Sequence, residues 1–275
     1  RYELYIASWL HDCGKVATPP HVVDKGTKLE TIFDRIELVK TRMELLKRDA
    51  EISFLRRQLN GSLPEFDQTY QDTIEKIDND IQFIESCNIG GEFMKPELQE
   101  KILSISKEKV VLNNKKQNIL TDNEVSNLNI AKGTLLPEER DIINDHIAIT
   151  IDMLEQLPYP KNLKNIPEFA GGHHEKMDGT GYPKGLKGDQ MSPQAKIMAI
   201  ADIYEALTAA DRPYKDGKKL SQAMRIMGFM KNDYHIDEDL FEIFVKSGVY
   251  KNYAKQHVAN NQIDDVNEST ILGNN

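Results

Sequence analysis

Residues able to bind a metal stand side by side at two places in this chain. One is His11-Asp12, within His11-Asp12-Cys13-Gly14-Lys15; the other is His173-His174, which opens the run His173-His174-Glu175-Lys176-Met177-Asp178-Gly179-Thr180-Gly181-Tyr182-Pro183. With His146 and Asp202 they supply imidazole and carboxylate ligands in the mixture that suits two or more divalent ions. The chemistry served by such a cluster is metal-assisted hydrolysis. A phosphodiester is negatively charged and repels hydroxide, so its catalyst must neutralise the phosphate oxygens and lower the pKa of a water. Two ions about 3.5–4 Å apart do both, and a carboxylate, with its two oxygens, is the natural bridge. Asp12 is the best candidate for that bridge. Neighbours on a helix diverge by about 100°, so His11 and Asp12 serve one centre only near a helix end, or if Asp12 reaches across to a second ion. Gly14 fits a helix terminus. The same geometry applies to His173 and His174, which follow Gly171-Gly172 and precede a turn-rich loop.

The two runs resemble the motifs of the HD-GYP family, a branch of the HD-domain metal-dependent phosphohydrolases. HDxGK reads as His11 to Lys15, and HHExxDGxGYP is complete from His173 to Pro183. Ala201-Asp202-Ile203-Tyr204-Glu205-Ala206-Leu207-Thr208 and Arg212-Pro213-Tyr214-Lys215 are similar to the family's two downstream signatures. The likeness covers residues 2 to 29 and 137 to 255. It implies an all-α fold, an HD-domain helical bundle, whose activity is hydrolysis of a cyclic dinucleotide, usually cyclic di-GMP, to a linear dinucleotide and on to GMP in bacterial second-messenger signalling. The ligand set it implies is His11, Asp12, His146, His173, His174 and Asp202, holding two or more divalent ions, iron or manganese foremost. Asp12 and Lys15 would take part in catalysis, and Lys15, Tyr182, Arg212 and Lys215 would contact the dinucleotide. It further implies a helix upstream with another ligand histidine, and an upstream sensory region.

Departures and alternatives accompany the resemblance. His146 is followed by Ile147 where the family usually has proline. Cys13 stands where the family carries an apolar residue and is read as packing. Glu175 and Asp178 are read as organisers of the loop or as hydrogen-bond partners of the ligand histidines. His21, His235 and His257 are read as ordinary histidines. The alternative function is a catalytically weak domain that binds a cyclic dinucleotide or a partner protein without turnover. Phosphohydrolases acting on other nucleotides lack the Gly-Tyr-Pro loop.

Composition narrows the classes. A formal net charge of −9 argues against a nucleic-acid polymer as partner, so an anionic substrate must be drawn in locally by metals, Lys15 and Arg212. With 39% hydrophobic residues the chain can bury a core. Cys13 and Cys87 make no disulfide framework, which points to a reducing, cytoplasmic setting, either for a free protein or for the cytoplasmic part of a membrane-anchored sensor. Neither a signal peptide nor a run of about 18 apolar residues is visible.

Helices must position the ligands. Tyr2, Ile6, Trp9 and Leu10 predict a helix that runs straight into His11. The long stretch between His11 and His146 predicts an insertion at 30–136 that splits the catalytic domain into 1–29 and 137–258. Leu29, Ile32, Ile36, Val39, Met43, Leu46, Ala50 and Ser53 alternate steps of three and four. A second seam, Tyr70, Ile74, Ile77, Ile81 and Ile84, follows the Asn60-Gly61-Ser62-Leu63-Pro64 turn. Together they predict an inserted antiparallel helical hairpin, 29–59 and 66–87, followed by short helices at 96–110 and 122–128. The insertion reads either as a decoration packed on itself or as a dimerisation or signalling arm that would give a homodimer. Further helices are expected from Pro193 to Ala209, from Ser221, and around Leu240, Phe241, Phe244 and Val245. The Asn- and Asp-rich tail, 259–275, is expected to fray.

Overall fold

Capping residues and prolines cut the chain into short helices, and the computed structural model describes residues 1–61, 67–91, 93–209 and 217–273. In chain order they are α1 (Tyr2–Leu10), α2 (Pro20–Val23), α3 (Ile36–Leu59), α4 (Gln68–Asn88) and α5 (Pro96–Ser106). A hairpin of β1 (Lys109–Leu112) and β2 (Lys115–Asn118) follows, then α6 (Asp122–Leu128), α7 (Pro137–Asn144), α8 (His146–Glu155) and α9 (Ile166–Gly171). The chain closes with α10 (Pro193–Thr208), α11 (Leu220–Asn232), α12 (Glu238–Lys246), α13 (Val249–His257) and α14 (Glu268–Leu272). They form two compact units, Arg1–Pro19 with Arg140–Asn275, and Pro20–Glu139. The inserted unit thus begins at Pro20, ahead of the hydrophobic seam that signals it in the sequence. Among the described residues no helix is long and apolar enough to cross a membrane.

In the first unit α8 packs on the 3-10 turn Cys13–Ala17 and on α9, while α9 also packs on α1 and α10. α10 starts sharply because Ser192 caps it, accepting from Ala195 N, with Pro193 at the first helical position. It ties two apolar clusters together. Met198 joins Ala7, Leu154, Ile166 and Phe169, whereas Ile200 and Tyr204 join Met224, Phe241 and Tyr250. α1 buries Ala7 and leaves Tyr2 and Trp9 at 65% and 75% exposure, so its inner face is not the aromatic stripe that the spacing suggests.

Residues 259 to 273 are packed, not frayed. Ile271 is buried against the second cluster, and Gln262 donates to the carbonyls of Thr208 and Lys218. The asparagine and aspartate content serves as caps: Asn267 accepts from Thr270 N, and Asp264 accepts from both Ser221 N and Ser221 Oγ.

In the inserted unit α3 and α4 run antiparallel, with Lys40 meeting Glu85, Lys47 meeting Asp78, and Phe54 stacked on Tyr70. Val39, Met43, Ile77 and Ile84 form the seam. α3 begins at Ile36, later than the periodicity suggests, because residues 29–35 are held as turns. Asn88 Oδ1 accepts from Leu29 N, Asp34 Oδ1 accepts from Ile36 N, and Ile32 is 94% exposed. α5 stops at Ser106, and the hairpin after it is absent from the sequence reading. Its signal is Asn113-Asn114, both at positive φ, the two-residue turn that suits a hairpin. Lys28 is buried and donates to the carbonyls of Leu128 and Ile130 beyond α6.

Asp264→Ala is expected to leave Ser221 N without its acceptor at the start of α11 and to destabilise the first unit by about 1 kcal/mol. Urea denaturation followed by far-ultraviolet circular dichroism checks this, and an unchanged midpoint would mean that the Asp264 cap adds nothing to stability.

Candidate metal centre

His11 stands immediately after α1 and Asp12 immediately before the 3-10 turn Cys13–Ala17, so the doublet occupies a break between helices. That break frees both side chains to face one point. His11 Nδ1 lies 2.7 Å from the Ser8 carbonyl. The same bond recurs twice: His173 Nδ1 lies against the Ala170 carbonyl, and His146 Nδ1 against the Ile143 carbonyl. A carbonyl can only accept, so each Nδ1 carries the hydrogen and each Nε2 is left to face the cluster, as a lone pair whenever the ring is neutral.

Those lone pairs converge on Asp12. Its Oδ1 lies 3.1 Å from His146 Nε2 and 4.0 Å from His173 Nε2, while its Oδ2 lies 3.3 Å from His11 Nε2 and 2.6 Å from Lys15 Nζ. Asp202, on α10, lies 3.6 Å from His11 Nε2 through Oδ1. The rings of His173 and His174 are 4.3 Å apart, and His174 is 5.5 Å from His146. Donor atoms of His146, His173 and His174 lie within 4.8 Å of one another, and so do those of His11, Asp12 and His173. The fold therefore gathers all six expected ligands into one cluster. Among the described residues Asp12 Oδ1, His146 Nε2 and His173 Nε2 are buried without a hydrogen-bond partner. Such atoms cost free energy unless something compensates, and a divalent cation matches this donor set.

The charges point the same way. Burial favours the neutral carboxyl at Asp12, but contacts with His11, His146 and Lys15 outweigh it and hold the group well below the carboxylate range. Asp202 is also lowered: burial opposes its charge, and His11, His173 and His174 overcome the penalty. Burial works against protonation of His11 too, yet Asp12 and Asp202 raise its pKa to about 10. Burial lowers the pKa of His173, and burial, then the repulsion a charged His173 ring would exert, pushes His174 down to about 3.

The remaining expected residues separate. Lys15 spends its charge on Asp12. Tyr182 stacks on His174 at 4.9 Å between ring centres and 13° between planes, and burial, then the charges of Asp202 and Asp12, raise its phenol to about 12. Arg212 and Lys215 lie outside the described residues. Cys13 packs in the apolar cluster of Ala7 and Leu154. Among the described residues His21, His235 and His257 join neither group of potential ligands. A feature the sequence does not announce is a cavity of about 530 Å³ floored by His11, Asp12 and Asp202 and walled by Tyr204, Phe244 and Tyr253. Tyr204 belongs to a recognised signature, but only packing brings Phe244 and Tyr253 to the same place.

A family model described as HD domain matches residues 121–240. A 3'3'-cGAMP-specific phosphodiesterase of Vibrio cholerae is 41% identical over 82 residues, 30% of this chain and 19% of that protein. A cyclic di-GMP phosphodiesterase of Pseudomonas aeruginosa is 46% identical over 79 residues, 28% of this chain and 18% of that protein. One from Thermotoga maritima is 36% identical over 114 residues, 42% of this chain and 30% of that protein. The chain spans less than a third of the length of these relatives. Over residues 121–240 the chain is similar to HD domains, and these relatives extend the resemblance to cyclic-dinucleotide phosphodiesterases. The matched span 121–240 holds His146, His173, His174 and Asp202 but not His11 and Asp12, which reach the cluster through the fold.

The Gly181-Tyr182-Pro183 loop is closed by Glu175. Its two oxygens accept from Lys184 N and Leu186 N, at 2.7 and 2.8 Å, so it organises the loop and leaves the histidines alone. Asp178 accepts from Thr180 N and Oγ1 within the same loop. Gly181 lies so close to the backbone of Glu175 that a Cβ would sit 2.5 Å from its Cα. Gly14 is tighter still. Its N–H donates to Thr150 Oγ1, and a Cβ there would fall 2.0 Å from the His146 carbonyl oxygen. This contact seats the Asp12 turn on α8, and Gly14→Ala is expected to cost about 1–3 kcal/mol by overpacking and to separate Asp12 from His146. Thermal melting and elemental analysis of the purified variant should both fall; retention of wild-type metal content would show that the approach does not set the ligand geometry.

Proposed function

We propose that this chain hydrolyses a phosphodiester bond of a cyclic dinucleotide, cyclic di-GMP first among them, using two or more divalent ions, with iron or manganese the leading candidates. The observation that carries this reading is the division of Asp12: Oδ1 faces His146 and His173, and Oδ2 faces His11. The potential ligands correspondingly fall into two sets of three that share His173. With Asp202 added beside His11, His11, Asp12 and Asp202 would hold one ion and His146 and His174 another, with Asp12 and His173 close to both sets. Bound there, such ions neutralise phosphate oxygens and lower the pKa of a water.

The chain's own residues supply the rest. Lys15, beside Asp12, offers a point charge to a phosphate oxygen. Tyr182 fixes the plane of His174 and keeps its phenolic hydrogen, so it can donate to the substrate. Phe244 and Tyr253, on the cavity wall, give a nucleobase an aromatic face to stack on. Arg212 and Lys215 are proposed to meet the phosphates. The relatives named for cyclic di-GMP and 3'3'-cGAMP support the substrate class. The products would be the linear dinucleotide and then GMP, within cytoplasmic second-messenger signalling.

Asp12→Ala is expected to lose bound metal and to reduce turnover of cyclic di-GMP by more than about 100-fold while helicity is retained. Elemental analysis, chromatography of the nucleotide products and circular dichroism read the three effects. Stoichiometric metal with full turnover in the variant would sink the assignment, and metal-loaded wild-type protein that binds but never cleaves would favour the non-catalytic module. Arg212→Ala with Lys215→Ala should weaken dinucleotide binding and spare metal content; unchanged affinity would remove them from the site.

A further inference from the structure

α3 carries two apolar stripes, and among the described residues of the inserted unit only one has a partner. The inner stripe, with Val39 and Met43 at 0% and 2% exposure, is covered by α4. The outer stripe consists of Leu38, Leu45, Ile52, Leu55 and Leu59, exposed by 49%, 38%, 46%, 46% and 87%. Scattered exposed leucines are ordinary on a protein surface, but these follow a rule. Leu38, Leu45, Ile52 and Leu59 recur every seventh residue, and Thr41, Arg48 and Leu55 fill the intervening positions, giving strict alternation of three and four. This is the a and d pattern of a coiled coil.

We propose that the outer face of α3 is a self-association surface on which a second copy of this chain packs in parallel and in register. The proposal concerns the inserted unit and goes beyond the hydrolytic reading, on which it does not depend.

Charge selects both the occupant and its direction. With Leu38, Leu45, Ile52 and Leu59 at a, the flanking g positions are Glu37, Glu44, Glu51 and Gln58, and the e positions are Arg42, Asp49 and Arg56. In a parallel pair g meets the e position of the next heptad in the second copy, so Glu51 meets Arg56 and Glu37 meets Arg42, although Arg42 is also held by Glu124 at 2.6 Å. Glu44 meets Asp49, an unfavourable pair, but Lys47 lies 2.8 Å from Glu44 and offsets it. An antiparallel pair sets e against e and g against g, bringing glutamate to glutamate and arginine to arginine along the seam. The two minority positions are tolerable. Thr41 Oγ1 already donates to the Glu37 carbonyl, leaving its methyl group for contact, and the Arg48 stem can lie along the seam with its guanidinium in water. A coiled coil this short pays heavily to form helix from disordered chain, yet α3 is already folded on α4, so association orders little besides side chains.

The test uses the full chain. Sedimentation equilibrium should give a dimer at micromolar concentration, and Leu45→Glu with Ile52→Glu should weaken it by more than about 100-fold, because like carboxylates then face each other in an apolar seam. Helicity and metal content should be unchanged in that variant. Leu45→Cys, at an a position, faces its own counterpart only in the parallel register, and should oxidise to a disulfide-linked dimer that the unsubstituted chain does not form. A monomer at about 100 μM, a dimer indifferent to the two glutamates, or a dimer in which Leu45→Cys fails to cross-link would each overturn the proposal.

Discussion

The bond between an imidazole Nδ1–H and a backbone carbonyl three residues earlier is repeated at His11, His146 and His173, and the centre depends on it. Helix ends leave carbonyls without an intrahelical donor. α1, α7 and α9 each end within two residues of a histidine, and each histidine takes up one such carbonyl. One bond thus does three things: it satisfies a helix end, selects the tautomer, and turns Nε2 toward the cluster. The helix breaks at 11, 145 and 172 are therefore requirements of the site. An unbroken α7–α8 helix would keep the Ile143 carbonyl within the helical ladder and leave the His146 ring without this hold.

Gathering these groups is costly, which explains the rigidity around them. Two ionised carboxylates and several imidazoles share a small, partly buried volume, and buried charge is tolerated only where it is paired. Lys15 and His11 partly pair Asp12, yet among the described residues its Oδ1 has no hydrogen-bond partner. Close backbone contacts hold the elements against this strain. Gly14 approaches α8, a Cβ on Gly171 would meet Ile151, and one on Gly172 would meet Ala195. Glu175 plays the corresponding part in the loop, using both oxygens on backbone N–H groups.

The inserted unit solves its polar problems separately. Its buried lysines are satisfied, Lys28 by carbonyls beyond α6 and Lys25 by Asn127 and Glu139. Arg42 and Glu124 pair beside the Thr121 capping box, which joins the start of α6 to the middle of α3. α3 is thereby fixed along its inner face while a second apolar stripe faces outward. A helix of this length has circumference enough for two stripes.

The candidate ligands were legible in the sequence because metal chemistry limits their types, and because His11-Asp12 and His173-His174 stand in motifs that resemble those of a metal-dependent family. The inner seam of α3 was legible because helical periodicity is local. The wrong expectations share one cause. Residues 29–35 follow the helical period but are held as turns by Asn88 and Asp34, which periodicity cannot register. Residues 259–273 have the composition of a loose tail, yet their Asn and Asp side chains cap helices, one of them more than forty residues away in sequence. Likewise, sequence named Asp12 as a bridge, but which oxygen faces which histidine, and the gathering of Phe244 and Tyr253 at the same cavity, were decided only by tertiary packing. Ligand type and period are properties of a residue and its near neighbours, whereas direction, burial and grouping depend on contacts between segments far apart in the chain.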